Sequence, residues 1–274
     1  MTSPSPPLNR RLTQGRREGR KPVPHDRVDS VSIVIPAYNE AKRLPPSLEK
    51  ILGYAEAQDR RMDLVVVDDG STDGTADLVR SAVGDRMPLT ILINHPNRGK
   101  GYSVRRGMLE ATGQCVLFTD ADLSTPIEDA EALLTAIEDG ADIAIGSRGL
   151  AQSDVQLHQP WWREYAGKLF GLLVRSLAAS GVRDTQCGFK CFRREAAQAV
   201  FPLQTLDGWA FDVELVIIAR RLGLGIAEVP VHWVNDPNTK VHMLSDGPKM
   251  VLDVVRARLR HRHLSSPQRS GPSR

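Results

Sequence analysis

Two aspartates one residue apart, Asp120 and Asp122, directly follow the apolar run Cys115, Val116, Leu117, Phe118. Side chains alternate along extended backbone, so both carboxylates can face one ligand. With small Ala121 between them, the pair suits a hard divalent cation held through oxygen, Mg²⁺ or Mn²⁺, whose remaining ligands come from a substrate's phosphates. An Asx turn in which one aspartate caps the next helix is the plainer alternative. Ser124 and Thr125 are better placed as caps for a helix beginning at Pro126, with Glu128 and Asp129 in its first turn.

Two further stretches carry chemistry. In VVVDDGSTDGT, Asp68 and Asp69 end a strand where acceptors could meet a ribose diol or a base N–H, although an Asp-Gly turn before a capped helix accounts for the same residues. In NRGKGYSVRRG, the glycines around Lys100 allow close approach of backbone to a ligand. Arg98 and Lys100 stand where a helix N-terminus favours anions. The stretch lacks the Gly-x-x-x-x-Gly-Lys-Ser/Thr pattern of a P-loop, which argues against an ATPase.

These residues need a scaffold, and the apolar periodicity supplies one. VSIVIPA, DLVVVDD, LTILINH, QCVLFTDAD and ADIAIGSR read as strands, with helices expected near 45–58, 73–83, 101–111 and 127–138 between them. Continuous Val/Ile/Leu strands alternating with helices predict an α/β fold: a mostly parallel sheet covered on both faces, in a single domain. Ligands of such sheets lie beyond the C-terminal strand ends. There the sequence places Pro36 to Glu40, Asp68 to Asp73, Asn97 to Gly101, Asp120 to Asp122 and Gly146 to Arg148. Five polar strand ends on one rim describe a site.

The chain has 274 residues, enough for a substantial core. No apolar run approaches the ~20 residues of a spanning helix, and the N-terminus lacks an apolar signal region, so a cytoplasmic protein is expected. Cys115, Cys187 and Cys191 are read as reduced thiols. Residues 1–30 carry seven basic against three acidic side chains and residues 249–274 seven against one. With +3 overall, these ends of +4 and +6 leave −7 for residues 31–248. An acidic body with basic ends suits peripheral contact with an anionic surface, the cytoplasmic face of a membrane, and nucleic acid is not an expected partner. The predicted organisation is a disordered basic tail over 1–29, a globular α/β domain over 30–246, a basic amphipathic helix over 247–264 and a disordered tail over 265–274. On that helix Met250, Val251, Val254, Val255 and Leu259 gather on one face, which either packs on the sheet or lies in a bilayer interface. Trp161 and Trp162, before a helix containing Leu169 to Leu173, are a second potential membrane contact.

Taken in order, SIVIPAYNE, VVDDGSTDGT, NRGKGYSVRRG, FTDADLSTP and GSR resemble the family-2 glycosyltransferases with the GT-A fold, over about residues 31–262. DADLSTP, DTQCGFKCF, WAFDVELV and VNDPNTKV favour the dolichyl-phosphate and polyprenyl-phosphate glucosyltransferase branch. The resemblance implies metal-dependent, inverting transfer of glucose from UDP-glucose to a polyprenyl phosphate. It implies that Pro36, Tyr38 and Glu40 line the base and ribose pocket, with Asp68 or Asp69 as acceptor. Asp120 and Asp122 are the implied metal pair, and Arg148, Arg163 and Lys240 are implied to reach phosphates, beside the Lys100 already placed where anions are favoured. Asp122 and Asp212 are the implied catalytic residues, Asp212 standing where relatives with hydroxyl acceptors hold a base. Gly188 to Phe192 are the implied floor of the sugar pocket.

Two departures bear on the donor: mannosyl-type members carry Gln where this chain has Ser124, and Arg where it has Val234. The glucosyl branch usually has Gly-Ser before the lysine, against Asn238 and Thr239 here. The alternatives are a GDP-mannose donor with the same lipid acceptor, or a sugar-hydroxyl acceptor with Asp212 as base. A nucleotidyltransferase is disfavoured because PAYNE contains no glycine. Glu214 shares a side with Asp212 if WAFDVE is extended, and pairs with Arg220 or Arg221 if it is helical. His232 and Trp233 are read as structural.

Overall fold

The computed structural model describes residues 26–150, 153–156, 181–234 and 243–264. Arg163, Lys240, Trp161, Trp162, the helix around Leu169, and residues 1–25 and 265–274 of the tails lie outside the described residues.

Strands β1 (Ser30–Ala37), β2 (Arg61–Asp68), β3 (Leu89–Ile93), β4 (Cys115–Phe118) and β5 (Ile143–Ser147) coincide with the five apolar runs. Helices Leu44–Glu56, Thr75–Val83, Lys100–Glu110 and Ala130–Glu138 connect them, the last entered through a 3₁₀ turn at Ile127–Asp129. After β6 (Asp154–Gln156) come β7 (Lys190–Arg193), β8 (Ile226–Pro230) and β9 (His232–Val234). The main sheet has the order β3-β2-β1-β4-β7-β5-β8, and β6 pairs with β9 in a separate ribbon. All main-sheet pairings are parallel except those of β7, which runs antiparallel between β4 and β5.

Burial on both faces explains the unbroken apolar strands. Ile33, Ile35, Leu64 and Val66 pack into one layer with the helices Leu44–Glu56 and Ala130–Glu138. Val34, Val65, Val67 and Phe118 point to the opposite layer, with Val104, Met108, Phe211 and Leu215. Each fully buried side chain of this kind contributes about 1.5–3 kcal/mol by removal from water. Gly107 is required in the second layer: a Cβ there would lie 2.4 Å from Val34 Cγ1.

Packing reaches Val28, two residues before the boundary expected at residue 30. Val28 is buried, its N–H donating to Glu138 Oε1 at 3.0 Å and its carbonyl accepting from Arg60 at 3.1 Å. At the other end, helix Met243–Arg260 packs Met250, Val254 and Ala257 against Ala210, Val213 and Ile217 around the helix Phe211–Arg221. Its apolar face is therefore a core contact. Leu252 and Leu259 remain 48% and 58% exposed on the outside, among the exposed Lys249, Arg256, Arg260 and Arg262. Among the described residues, no helix is long and apolar enough to cross a membrane.

Candidate active site

The strand order reverses between β1 and β4, since successive connections leave β1 toward β2 and β3 and then return to β4 on its other side. A crevice opens at such a switch point, beyond the carboxyl ends of the strands. The loop after β1 and the loop after β4 form its walls, and Arg43 spans it with one guanidinium nitrogen 3.9 Å from Asp122 Oδ2. Arg43 is itself gripped as a fork by Glu40, at 2.8 and 2.7 Å. Glu40 thus holds the arginine over the acidic pair, while Tyr38 is 41% exposed at the mouth.

Asp120 and Asp122 belong to the turn that ends β4, where Leu123 takes φ 46°. Asp122 Oδ1 accepts from the Ser124 N–H and hydroxyl, both at 3.0 Å, which is an Asx turn of the kind weighed above. Ser124 therefore orients Asp122 and does not cap the following helix, which has no side-chain cap. Asp122 Oδ2 is left for Arg43 and for a ligand. Burial, and next the neighbouring Asp120 charge, push the Asp122 carboxyl up. Asp120 Oδ1 meets the Lys100 ammonium at 2.5 Å. Gly188 closes the back: a Cβ on it would sit 2.2 Å from Asp120 Oδ2. It is delivered there because β7 runs antiparallel beside β4, pairing Phe118 with Lys190, so residues just before β7 emerge at the rim where β4 ends.

These donors fit a hard divalent cation. They are two carboxylates on one turn, partly exposed, one of them destabilised by the other's charge. Among the described residues no cluster of three or more His, Cys, Asp or Glu that could hold a metal forms; Mg²⁺ and Mn²⁺ are commonly held by one or two carboxylates together with substrate phosphates and water.

Several expectations need correcting. Asp69 is engaged within the protein: its two oxygens accept from Asn94 Nδ2 at 2.7 Å, Arg98 N at 3.0 Å and Gly99 N at 2.8 Å, tying β2 to the approach of helix Lys100–Glu110. Asp68 spends one oxygen on the Ser71 N–H at 2.8 Å and is the better placed acceptor of the two. The glycines around Lys100 serve the protein's own backbone. A Cβ on Gly99 or Gly101 would come within 2.5 Å of the Asp207 or Leu206 carbonyl oxygen. The Asp207 carbonyl also caps the helix, accepting from Gly101 N at 2.8 Å and Tyr102 N at 3.3 Å. That N-terminus is occupied by protein and is no anion site, and Arg98 lies over the Tyr102 ring at 4.2 Å. Arg148 likewise commits its fork to Asp184, at 2.7 and 2.9 Å, and stacks near Trp233. Its Nη1 and the second N–H of Nη2 are not engaged by Asp184.

A helix begins at Phe211, within WAFDVE, so Asp212 and Glu214 diverge. Glu214 is fully buried and turns to the Thr205 N–H and hydroxyl, Leu206 N and His261 Nε2, the last at 2.7 Å. Asp212 turns to the site, where Lys190 donates to its Oδ1 and to the Cys187 carbonyl. Lys190 has no exposed surface and lies 5.1 Å from the Phe118 ring centroid. Burial pushes the Asp212 carboxyl up against the opposing pull of Lys190 and Lys100. Lys190 lies within the implied floor of the sugar pocket, and its pairing with Asp212 had no signal in the sequence. His232 is structural, its N–H donating to Asp129 Oδ2 at 2.7 Å.

The seven-stranded, mostly parallel sheet, with an acidic pair at its switch point, is a GT-A sheet. Residues 32–201 match the family described as "Glycosyl transferase family 2", and the chain belongs to that family of glycosyltransferases. Its relatives include the dolichyl-phosphate beta-glucosyltransferase of Dictyostelium discoideum, 36% identical over 84% of this chain and 74% of the relative. The enzyme of that name from Homo sapiens is 34% identical over 90% and 81%. Among solved structures, mannosyl-3-phosphoglycerate synthase from Rubrobacter xylanophilus has a TM-score of 0.64 at 23% identity, covering 89% of this chain and 78% of that one. Glucosyl-3-phosphoglycerate synthase from Mycobacterium tuberculosis, solved with Mn²⁺, UDP-glucose and phosphoglyceric acid, has a TM-score of 0.65 at 20% identity, covering 84% and 79%. Both share the fold.

Proposed function

We propose that the chain transfers glucose from UDP-glucose to a dolichyl or polyprenyl phosphate, with inversion at the anomeric carbon. The reading is supported by its similarity to the dolichyl-phosphate beta-glucosyltransferases, over most of both chains. The structural observation that carries it is the Asp120–Asp122 pair facing Arg43 and Lys100 across the β1/β4 crevice.

Pro36, Tyr38 and Asp68 border the base and ribose, and Glu40 acts through Arg43. Lys100 meets the donor phosphates, and Arg163 and Lys240 are assigned to phosphates by resemblance alone. A divalent cation held by Asp120 and Asp122 would neutralise the diphosphate as it leaves. An acceptor phosphate oxygen attacks the anomeric carbon, the bond from that carbon to UDP breaks, and its electron pair stays on the UDP oxygen. The acceptor is already anionic at neutral pH, so no base has to remove a proton. Asp212, buried beside the pair and held by Lys190, positions the sugar.

The lipid carrier places the protein at a membrane surface. Exposed Leu252 and Leu259, with Lys249, Arg256, Arg260 and Arg262 around them, suit shallow contact with an anionic bilayer, each basic residue adding about 1 kcal/mol.

The raised carboxyl of Asp212 favours a second reading, in which it is the base for a sugar hydroxyl. A donor panel of UDP-glucose, GDP-mannose and UDP-GlcNAc, run against polyprenyl phosphate and free sugars, separates the two. Glucose on sugars with none on lipid phosphate would transfer the assignment to the second, and lipid-linked mannose would change the donor.

A further inference from the structure

We propose that Lys100 is a built-in counter-ion. It holds Asp120 while the donor is away and yields that carboxylate to the divalent cation as the donor diphosphate arrives, so that cation and donor bind as a unit. The inference rests on reading Asp120 and Asp122 as the cation site.

The Lys100 ammonium lies 2.5 Å from Asp120 Oδ1, on an oxygen a cation would need. It cannot withdraw by moving its backbone. On one side the Gly99 N–H is fixed to Asp69 Oδ2 at 2.8 Å, and on the other the Gly101 N–H is fixed to the Asp207 carbonyl at 2.8 Å. A Cβ at 99 or 101 would strike that same loop, so the first turn of the helix is locked. What can move is the ammonium on its flexible four-carbon stem, a compact point charge with rotatable donors.

The surroundings offer it somewhere to go. Only Oδ1 of Asp212 is engaged by Lys190, and its second oxygen makes no hydrogen bond among the described residues. The Trp209 ring lies 5.4 Å from the ammonium. An arriving diphosphate carries more negative charge than the Asp212 carboxylate and, unlike the neutral indole, accepts charge-assisted hydrogen bonds from the ammonium. A cation arriving alone must displace the ammonium and then share the crevice with its charge. A cation arriving with a diphosphate meets a lysine that has a new partner. The coupling is a difference in cation affinity with and without nucleotide, and coupling between sites is typically about 5–150-fold.

The test is Mn²⁺ binding to the full chain, followed by electron paramagnetic resonance of the free ion, with and without UDP. The wild-type protein is expected to bind Mn²⁺ weakly alone and at least about tenfold more tightly with UDP. Lys100→Met and Lys100→Gln are expected to bind Mn²⁺ alone about tenfold more tightly than wild type, with the UDP effect reduced to match, and Lys100→Arg to restore the wild-type pattern. Two neutral variants guard against one failing to fold. Unchanged or weaker Mn²⁺ affinity in a folded neutral variant would overturn the inference and leave the cation site standing. No Mn²⁺ binding by wild-type protein even with UDP would instead remove the cation site, and the inference with it.

Discussion

Gly188 lies so close to Asp120 that a single added methyl would stand 2.2 Å from its Oδ2 and 2.7 Å from its Cγ. The shape of the acidic site is therefore set by a residue 68 positions further along the chain. The contact exists because β7 enters the sheet antiparallel beside β4.

Gly188→Ala should rotate the Asp120 carboxylate out of place. Lys190 starts β7 two residues later and is fixed to Asp212 and the Cys187 carbonyl, so the backbone has little room to retreat. Overpacking of this kind costs about 1–3 kcal/mol. Transfer activity should fall at least about a hundredfold, as when one transition-state contact is lost. Activity and thermal melting of the variant check this, and a variant near wild-type rate would show that Asp120 tolerates another orientation.

Asp68→Asn and Asp69→Asn should separate cleanly. Asp69 is spent on three internal donors, so its variant turns an amide N–H₂ toward backbone N–H groups and should lose about 1–3 kcal/mol of stability per unmade bond. Asp68→Asn should keep the melting temperature close to wild type and raise KM for UDP-glucose. Thermal melts together with steady-state kinetics decide it, and a melt equally damaged in both would count against Asp68 as the ligand-facing residue.

Lys190→Ala leaves the buried Asp212 carboxylate without its cation, and breaking a buried pair from one side costs about 3–5 kcal/mol. The double variant Lys190→Met/Asp212→Leu should recover much of that loss while remaining inactive. Denaturant unfolding of the three proteins measures both effects, and equal stability of the single and double variants would contradict the pairing.

The Cys187 thiol is pushed up to about 11 from 9.0, with burial the largest cause. A raised value in the folded state stabilises the fold below pH 9 and is lost as pH rises from about 9 through about 11, because the unfolded chain ionises first. Cys187→Ala should make the alkaline fall in melting temperature shallower across that window. The native thiol should also resist alkylation at pH 8 until the chain unfolds. Rapid labelling of native Cys187 would refute its burial.

How far the sequence carried these residues follows from physical range. Five strands and four helices were legible because burial on both sheet faces demands unbroken apolar runs, and that pattern is local. Asp120 and Asp122 were legible because strand ends in such sheets face ligands. The partners were not. Lys190 meets Asp212 across 22 residues, His261 meets Glu214 across 47, and the carbonyls of Leu206 and Asp207 crowd Gly101 and Gly99 across more than a hundred. Glycine spacing announces a close approach without saying what approaches, so a contact with the protein's own loop was read as one with a ligand. Short KCFR, with a charge at each end, gave no strand signal, although it closes the gap between β4 and β5.

The central claim is tested most directly by incubating the purified full chain with radiolabelled UDP-glucose, Mg²⁺ or Mn²⁺, and a polyprenyl phosphate in detergent, then extracting the lipid. The account predicts labelled glucose on the lipid phosphate with β configuration. It also predicts that the product disappears with a chelator and in Asp122→Asn. UDP-glucose turnover with no lipid-linked product, or undiminished product in Asp122→Asn, would contradict it.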